Sequence, residues 1–328
     1  MEKKETKRQH FVPQTYLNKF SIERKEKQFQ IFAAPKKDIT KVFPSSTEKV
    51  CVYKDLYTLP GKTEEERMLI ENFYGDSYES KYNRIYELLI DDGFRNISKE
   101  DNELIVSSII TMFFRTTRLI SEHHEVMYRV FEKLAYLCEQ SGKDYFMFEN
   151  EKIMLKGRSA EQLLNDHKEE SRVPYVITQL KVALRLIEIR KNDAISVVKI
   201  EQNGPELITS DNPVTLYNFD TRHIAPFDRK NVISLPLNSQ YKVIIYPFDN
   251  LGYITRQHHN ATMSYSEVLT TGFDQLESSE RFILGSENGL EEFAKIKSRT
   301  EKMPDISIEQ KKEIERINKM ARELGILP

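Results

Sequence analysis

The sequence predicts an α+β protein, a mostly antiparallel sheet with a large helical insertion packed against it. Three observations carry this. Residues 28–60 and 194–246 read as short alternating or β-branched runs broken by turn residues. Residues 63–192 switch to helical spacing. No internal repeat or low-complexity tract disturbs the order strands, helices, strands, helices. The 328 residues supply core for one large domain over 1–328. Within it we distinguish an N-terminal anchor with short strands (9–62), a helical region (63–192), a region of sheet and helices (193–300) and a C-terminal helix (301–328).

After a lysine-rich lead, Pro13 falls in the first turn of a short helix whose Tyr16, Leu17 and Phe20 line one face. Gln9 and His10 would sit at its N-terminal mouth. Strands follow at Gln28 to Ala33, Lys41 to Phe43 and Asp55 to Leu59, with turns at Pro35, Pro44 and Pro60-Gly61. Thr63 with Glu66 makes a capping box, and apolar residues recur at helical spacing from Leu69 to Leu89. Gly75 marks a break there, and Asp92-Gly93 the end. Ser98 with Asp101 opens a helix from Leu104 to about Leu119. Its stretch from Ile105 to Phe114 is apolar nearly all round, which places it inside the protein. A continuation through Val126, Val130, Leu134 and Leu137 stops near Ser141-Gly142. Two more helices cover Ser159 to Lys168, capped by Ser159 with Gln162, and Val173 to Ile189. Strands then run over Ala194 to Ile200, Glu206 to Thr209, Val232 to Leu235 and Tyr241 to Tyr246. A helix around His259 to Leu269, a strand from Arg281 to Leu284, and helices from Leu290 and Ser307 complete the chain.

A formal net charge of −2 with many charges of both signs gives no global electrostatic case for DNA binding. No apolar run approaches a membrane span and no signal segment opens the chain, so a membrane is not an expected partner and the cytoplasm is the expected compartment. Cys51 and Cys138 are isolated, which argues against a disulfide framework or structural zinc. Phosphate-binding glycine loops and the GxSxG elbow are missing, so standard nucleotide-binding and α/β-hydrolase folds are not expected. No cofactor is expected either.

Three stretches carry candidate chemistry. Gln9-His10 precedes the first helix, where an N-terminus favours anions; the alternative is an anchor with His10 satisfied by a carbonyl. Thr209-Ser210-Asp211-Asn212-Pro213 ends a strand with two hydroxyls, a carboxylate and an amide in one turn, suited to an active-site lip or to ordinary turn chemistry. Arg115 and Arg118 share a face where the apolar helix ends. A buried arginine there needs an anionic partner, either a bound phosphate or a carboxylate such as Glu71 or Glu79. His123-His124 reads as a wet helix face, and His258-His259-Asn260 lacks metal-ligand spacing.

Together, the QH-F-VP-x-x-Y-L-x-x-F opening, the R-T-x-R helix end at Arg115 to Arg118, I-T-S-D-N-P-V and S-L-P-L at Ser234 to Leu237 resemble a widespread, mainly bacterial domain-of-unknown-function family. The likeness spans roughly Gln9 to Glu287; Thr117 stands where that family usually has proline. The resemblance implies a shared fold and site and leaves the chemistry open. Two functions fit. In the first, His10 is a general acid/base, Asp211 orients it, Gln9 supports it, and Arg115 and Arg118 hold an anionic group with Ser210 and Asn212. That predicts metal-independent hydrolysis of a phosphodiester, in RNA or a nucleotide, in a toxin or phage-defence role. A metal-assisted version would recruit Asp211 with Glu71 or Glu79. In the second, the same residues bind a phosphorylated ligand or a protein partner without turnover.

Overall fold

The computed structural model describes residues 8–24, 28–91, 97–155, 157–201, 204–218, 225–226, 228–247 and 261–301. In chain order these form β1 (Arg8–His10), α1 (Gln14–Leu17), β2 (Ile22–Glu23), β3 (Phe29–Pro35), β4 (Phe43–Ser46) and β5 (Val52–Lys54). The helical region holds α2 (Glu64–Arg67), α3 (Leu69–Ser77), α4 (Tyr82–Ile90), α5 (Lys99–Phe114) and α6 (Thr117–Ser141). A hairpin of β6 (Tyr145–Phe148) and β7 (Glu151–Met154) leads into α7 (Ala160–Arg190). Then come β8 (Ala194–Ile200), β9 (Thr209–Ser210), β10 (Thr215–Tyr217), β11 (Val232–Pro236) and β12 (Tyr241–Tyr246). The last elements are β13 (Ala261–Met263), α8 (Tyr265–Ser278), β14 (Phe282–Gly285) and α9 (Glu287–Glu301).

The fold is α+β with antiparallel sheets, as the alternation of strand and helix patterns predicts. One five-stranded sheet has the order β10-β11-β12-β8-β13, antiparallel except where β13 runs parallel to β8. A second runs β2-β3-β14-β9, with β4 also on β3, and so joins the N-terminal strands to those near the end of the chain. The main core lies between α5, α7 and one face of the first sheet. Ile105, Ile109 and Met112 there share a cluster with Ile195, Val197, Ile233, Leu235, Val243 and Ile245. Strand period two therefore turns Lys242, Ile244 and Tyr246 of β12 to the opposite face. The described residues hold one helical stretch apolar and long enough to cross a membrane, within Lys99–Ser141, contrary to the sequence reading. Of that window 67% is buried inside the protein, as a core helix requires.

Local rules explain both matches and shifts. The capping boxes at Thr63 and Ser159 form as read, and Gly142 ends α6 at φ 68, a left-handed cap that glycine adopts freely. The expected strand at Asp55 does not form, because Asp55 (φ 54) and Cys51 (φ 54) turn the chain at either end of β5. Pro44 lies in β4, where an edge strand tolerates proline. Helix α3 passes through Gly75, and the break falls instead at the 3-10 turn Glu79–Lys81. The two helices expected around residues 159–189 are one, with Pro174 inside. Strand pairing begins only at Thr209, and Ala261–Met263 is a strand where a helix was expected. The expected helix from Ser307 and the His258-His259-Asn260 series lie outside the described residues.

Candidate functional site

Residues Gln9 and His10 lie in β1, paired with β5, and not at a helix mouth. The Gln9 side chain is fully buried. Its Oε1 accepts from the Tyr57 amide at 2.6 Å and its Nε2 donates to Thr58 Oγ1 at 3.2 Å. Arg172 holds the same loop from its other side by donating to the carbonyls of Asp55, Leu56 and Thr58. His10 Nε2 meets the Thr47 carbonyl at 3.0 Å, which fixes that nitrogen as the donor. Burial lowers the His10 pKa, opposed chiefly by the Thr47 bond. This is the anchor geometry, with the imidazole satisfied by a carbonyl.

Arg115 follows the last turn of α5, and its side chain is closed in. Nη1 donates to Glu79 Oε1 at 2.7 Å, and Nη2 donates to the His10 carbonyl at 2.6 Å. The guanidinium lies 4.4 Å from the Tyr74 ring centroid, a cation–π contact. Nearby, the buried Glu71 Oε2 and Arg115 Nε have no hydrogen-bond partner. Burial pushes the Glu71 carboxyl up to about 7, partly offset by Arg115. The carboxylate that the sequence reading asked for is therefore Glu79.

Asp211, expected to orient His10, does something else. Its oxygens accept three backbone N–H groups, from Glu280 and Arg281 at 2.8 Å and from Phe282 at 3.1 Å. Burial raises its pKa and those three bonds oppose the rise. The carboxylate thus organises the turn between α8 and β14. Ser210 Oγ donates to Gln275 Oε1 at 2.8 Å. Asn212 accepts from Thr116 Oγ1 at 2.8 Å and donates to the Ser278 carbonyl at 3.1 Å. Tyr16 draws the motifs together, with its hydroxyl 2.6 Å from Thr209 Oγ1 and donating to the Pro236 carbonyl at 2.9 Å. The three sequence motifs do converge, joined by Arg115 to the His10 carbonyl, Thr116 to Asn212 and Tyr16 to Thr209.

Arg118 and Asn212 also reach an open cleft of about 650 Å³ bounded by α6, α8 and the outer face of the first sheet. Thr215 and Tyr217 of β10 and Lys242 of β12 form its sheet wall. The charged lining comprises the cations Arg118 and Lys242 and the carboxylates Glu122, Glu267, Asp274 and Glu277. Lys242 Nζ donates to Thr271 Oγ1 at 2.9 Å. Burial lowers the Lys242 pKa, while Asp274 and Glu267 oppose that shift. Asp274 is raised by burial, with Lys242 pulling the other way. Glu267 is committed to the α8 capping box through Ser264, which holds it below the usual carboxylate range. Arg118 pairs with Glu122 at 2.8 Å and, with Lys36, caps the carbonyls that end α8.

Sequence reasoning missed Lys242, Asp274 and Tyr217. One signal was available: in Tyr241-Lys242-Val243-Ile244-Ile245-Tyr246 a lysine interrupts an apolar strand at the period that marks the face away from the core. Away from the cleft, His123 is half-buried against the Tyr175 ring rather than on a wet face, and its Nε2 is 3.4 Å from His167 Nε2. Among the described residues no group of three or more His, Cys, Asp or Glu side chains converges as metal ligands; Asp211 is taken up by the backbone amides of 280–282 and Glu79 by Arg115.

A family model described as protein of unknown function (DUF4238) matches residues 8–323. No curated protein and no solved structure matches the chain.

Proposed function

The chain belongs to the DUF4238 family, whose function is unknown, and we propose that it works through the cleft between α6, α8 and the sheet, holding a small polar ligand there. The observation that carries this is a cleft of about 650 Å³ with cations and uncommitted carboxylate facing one space. That volume suits a small molecule. The charges sort the ligand: an acceptor group meets Lys242 and Arg118, and a cationic or donor group meets Asp274 and Glu277. Four carboxylates against two cations disfavour a polyanion such as RNA. Saturation-transfer NMR with amino acids, α-keto acids, nucleosides and mononucleotides tests the reading. We expect a signal from at least one class that disappears in Thr270→Trp, where an exposed α8 position on the cleft wall is filled. Binding unchanged in that variant, or none from any class, refutes it.

Phosphodiester hydrolysis is a second reading, favoured by one observation: Arg118 and Asn212 stand on the cleft wall. It requires cleavage of RNA or a dinucleotide by the wild type and loss of that activity in His10→Ala. On the reading proposed here, RNA stays intact.

A further inference from the structure

We infer that Lys242 is an imine-forming lysine, whose Nζ adds to the carbonyl carbon of a small aldehyde or ketone bound in the cleft. The inference rests on the cleft reading above and names the ligand's reactive group.

The placement is unusual for lysine. Lys242 lies on a central strand of the first sheet, between β11 and β8, and reaches the cleft from the wall instead of from a solvated rim. Lysines on ordinary surfaces keep the ammonium in water; this one is half-buried, with Nζ fixed at 2.9 Å from Thr271 Oγ1. A desolvated amine is a better nucleophile than a solvated ammonium, because its lone pair is free for a larger fraction of time. The titratable groups that line the cleft with it are Asp274, Glu267 and Glu277 of α8, Arg118 and Glu122 of α6, and Tyr217 of β10. Asp274 and Glu267 favour the ammonium, and burial outweighs them.

The chemistry balances within the site. The neutral Nζ forms a bond to the carbonyl carbon, and the carbonyl oxygen takes a proton to give a carbinolamine. Loss of that hydroxyl as water, with the C–O bond broken and the nitrogen proton released, leaves the imine. Departure of water needs an acid. Asp274 suits that role, since burial keeps its carboxyl protonated to higher pH than usual. No oxidant or metal enters the sequence.

The test is reductive trapping on the full chain. Wild-type protein is incubated with limiting propionaldehyde or pyruvate and sodium cyanoborohydride, and the adducts are mapped by peptide mass spectrometry. We expect Lys242 to be modified about tenfold faster than the median lysine, and Thr270→Trp to abolish that preference. In Lys242→Arg the selective adduct is lost, while NMR binding of a cleft ligand persists at reduced affinity. Adducts spread evenly over the lysines, or Lys242 untouched, overturn the inference. NMR binding without an adduct at Lys242 leaves the cleft reading standing and removes the imine. A Lys242 adduct that Thr270→Trp does not diminish, with no cleft ligand found by NMR, overturns both.

Discussion

Replacing Arg115 with alanine separates a structural guanidinium from one that waits for a ligand. Arg115 is 3% exposed and donates to Glu79 and to the His10 carbonyl while lying over Tyr74. Alanine leaves both acceptors without their donor and opens a void beneath the ring. Removing one partner of a buried ion pair costs about 3–5 kcal/mol. The Glu79 side chain is 24% exposed, so water recovers part of its loss, and the lower figure of about 3 kcal/mol applies. Unfolding entropy of about 2.1 cal/mol/K per residue over 328 residues gives about 0.7 kcal/mol/K, hence a drop in Tm of about 4 °C. Calorimetry gives that shift, and urea melts should show a lower midpoint at unchanged slope. Arg115→Lys should lose much of the same stability, because one ammonium cannot reproduce a fork that meets two acceptors. A variant that melts within about 1 °C of wild type refutes the reasoning, and the guanidinium would then be free to hold an anion.

The remaining predictions concern the neighbouring groups. Asp211→Asn puts an amide NH2 against backbone N–H groups of residues 280–282 and should cost about 1–3 kcal/mol; an unchanged urea midpoint would count against the turn-organising role. The Glu71 carboxyl is held up to about 7 against an ordinary 4.5. The folded chain therefore keeps a proton that the unfolded chain releases in that interval, and stability declines as pH rises from about 4.5 through 7. Glu71→Gln should flatten this slope in Tm against pH. The lowered pKa of His10 gives the opposite slope below its ordinary 6.5, so the comparison is made in a His10→Gln background, and parallel curves there would discard the assignment. In Arg118→Ala the lost ion pair joins side chains 34% and 54% exposed and is worth under about 1 kcal/mol. Tm should barely move while affinity for a cleft ligand falls; a loss as large as that of Arg115→Ala would mean its main task is to cap α8.

Much of the fold could be read from periodicity and caps. The buried character of α5 followed from a ten-residue stretch apolar nearly all round, and the Thr63 and Ser159 boxes fixed two helix starts. What escaped were short elements set by partners distant in sequence. Arg8–His10 is a strand only because Val52–Lys54 lies beside it, and Ala261–Met263 only because β8 does. The site was harder for a related reason. Gln9, His10, Arg115, Asp211 and Asn212 carry side chains suited to chemistry, yet each one's role depends on which donor or acceptor the fold brings opposite. Backbone carbonyls and amides, at His10, Thr47, Tyr57, Ser278 and residues 280–282, supply most of those partners and leave no mark on the sequence. Lys242 shows the converse: its strand pattern was visible, but nothing local reveals that α6 and α8 leave a cleft in front of it.

The reach of Tyr16 bears on how the chain is made. Its hydroxyl bonds to groups 193 and 220 residues later in the sequence. On a ribosome adding about 5–20 residues per second, about 10–40 s separate the emergence of Tyr16 from that of Pro236. During that interval Phe11, Val12, Tyr16, Leu17 and Phe20, all buried in the finished protein, lack the later strands β9, β11 and β14 of the two large sheets. The partners made earlier are β5, which pairs with β1, and α4, where Tyr82 meets the Tyr16 ring at 5.9 Å. The segment from Phe11 to Phe20 is thus made long before the strands that secure it. A nascent chain stalled before β11 would present it, still unsealed, to chaperones and proteases.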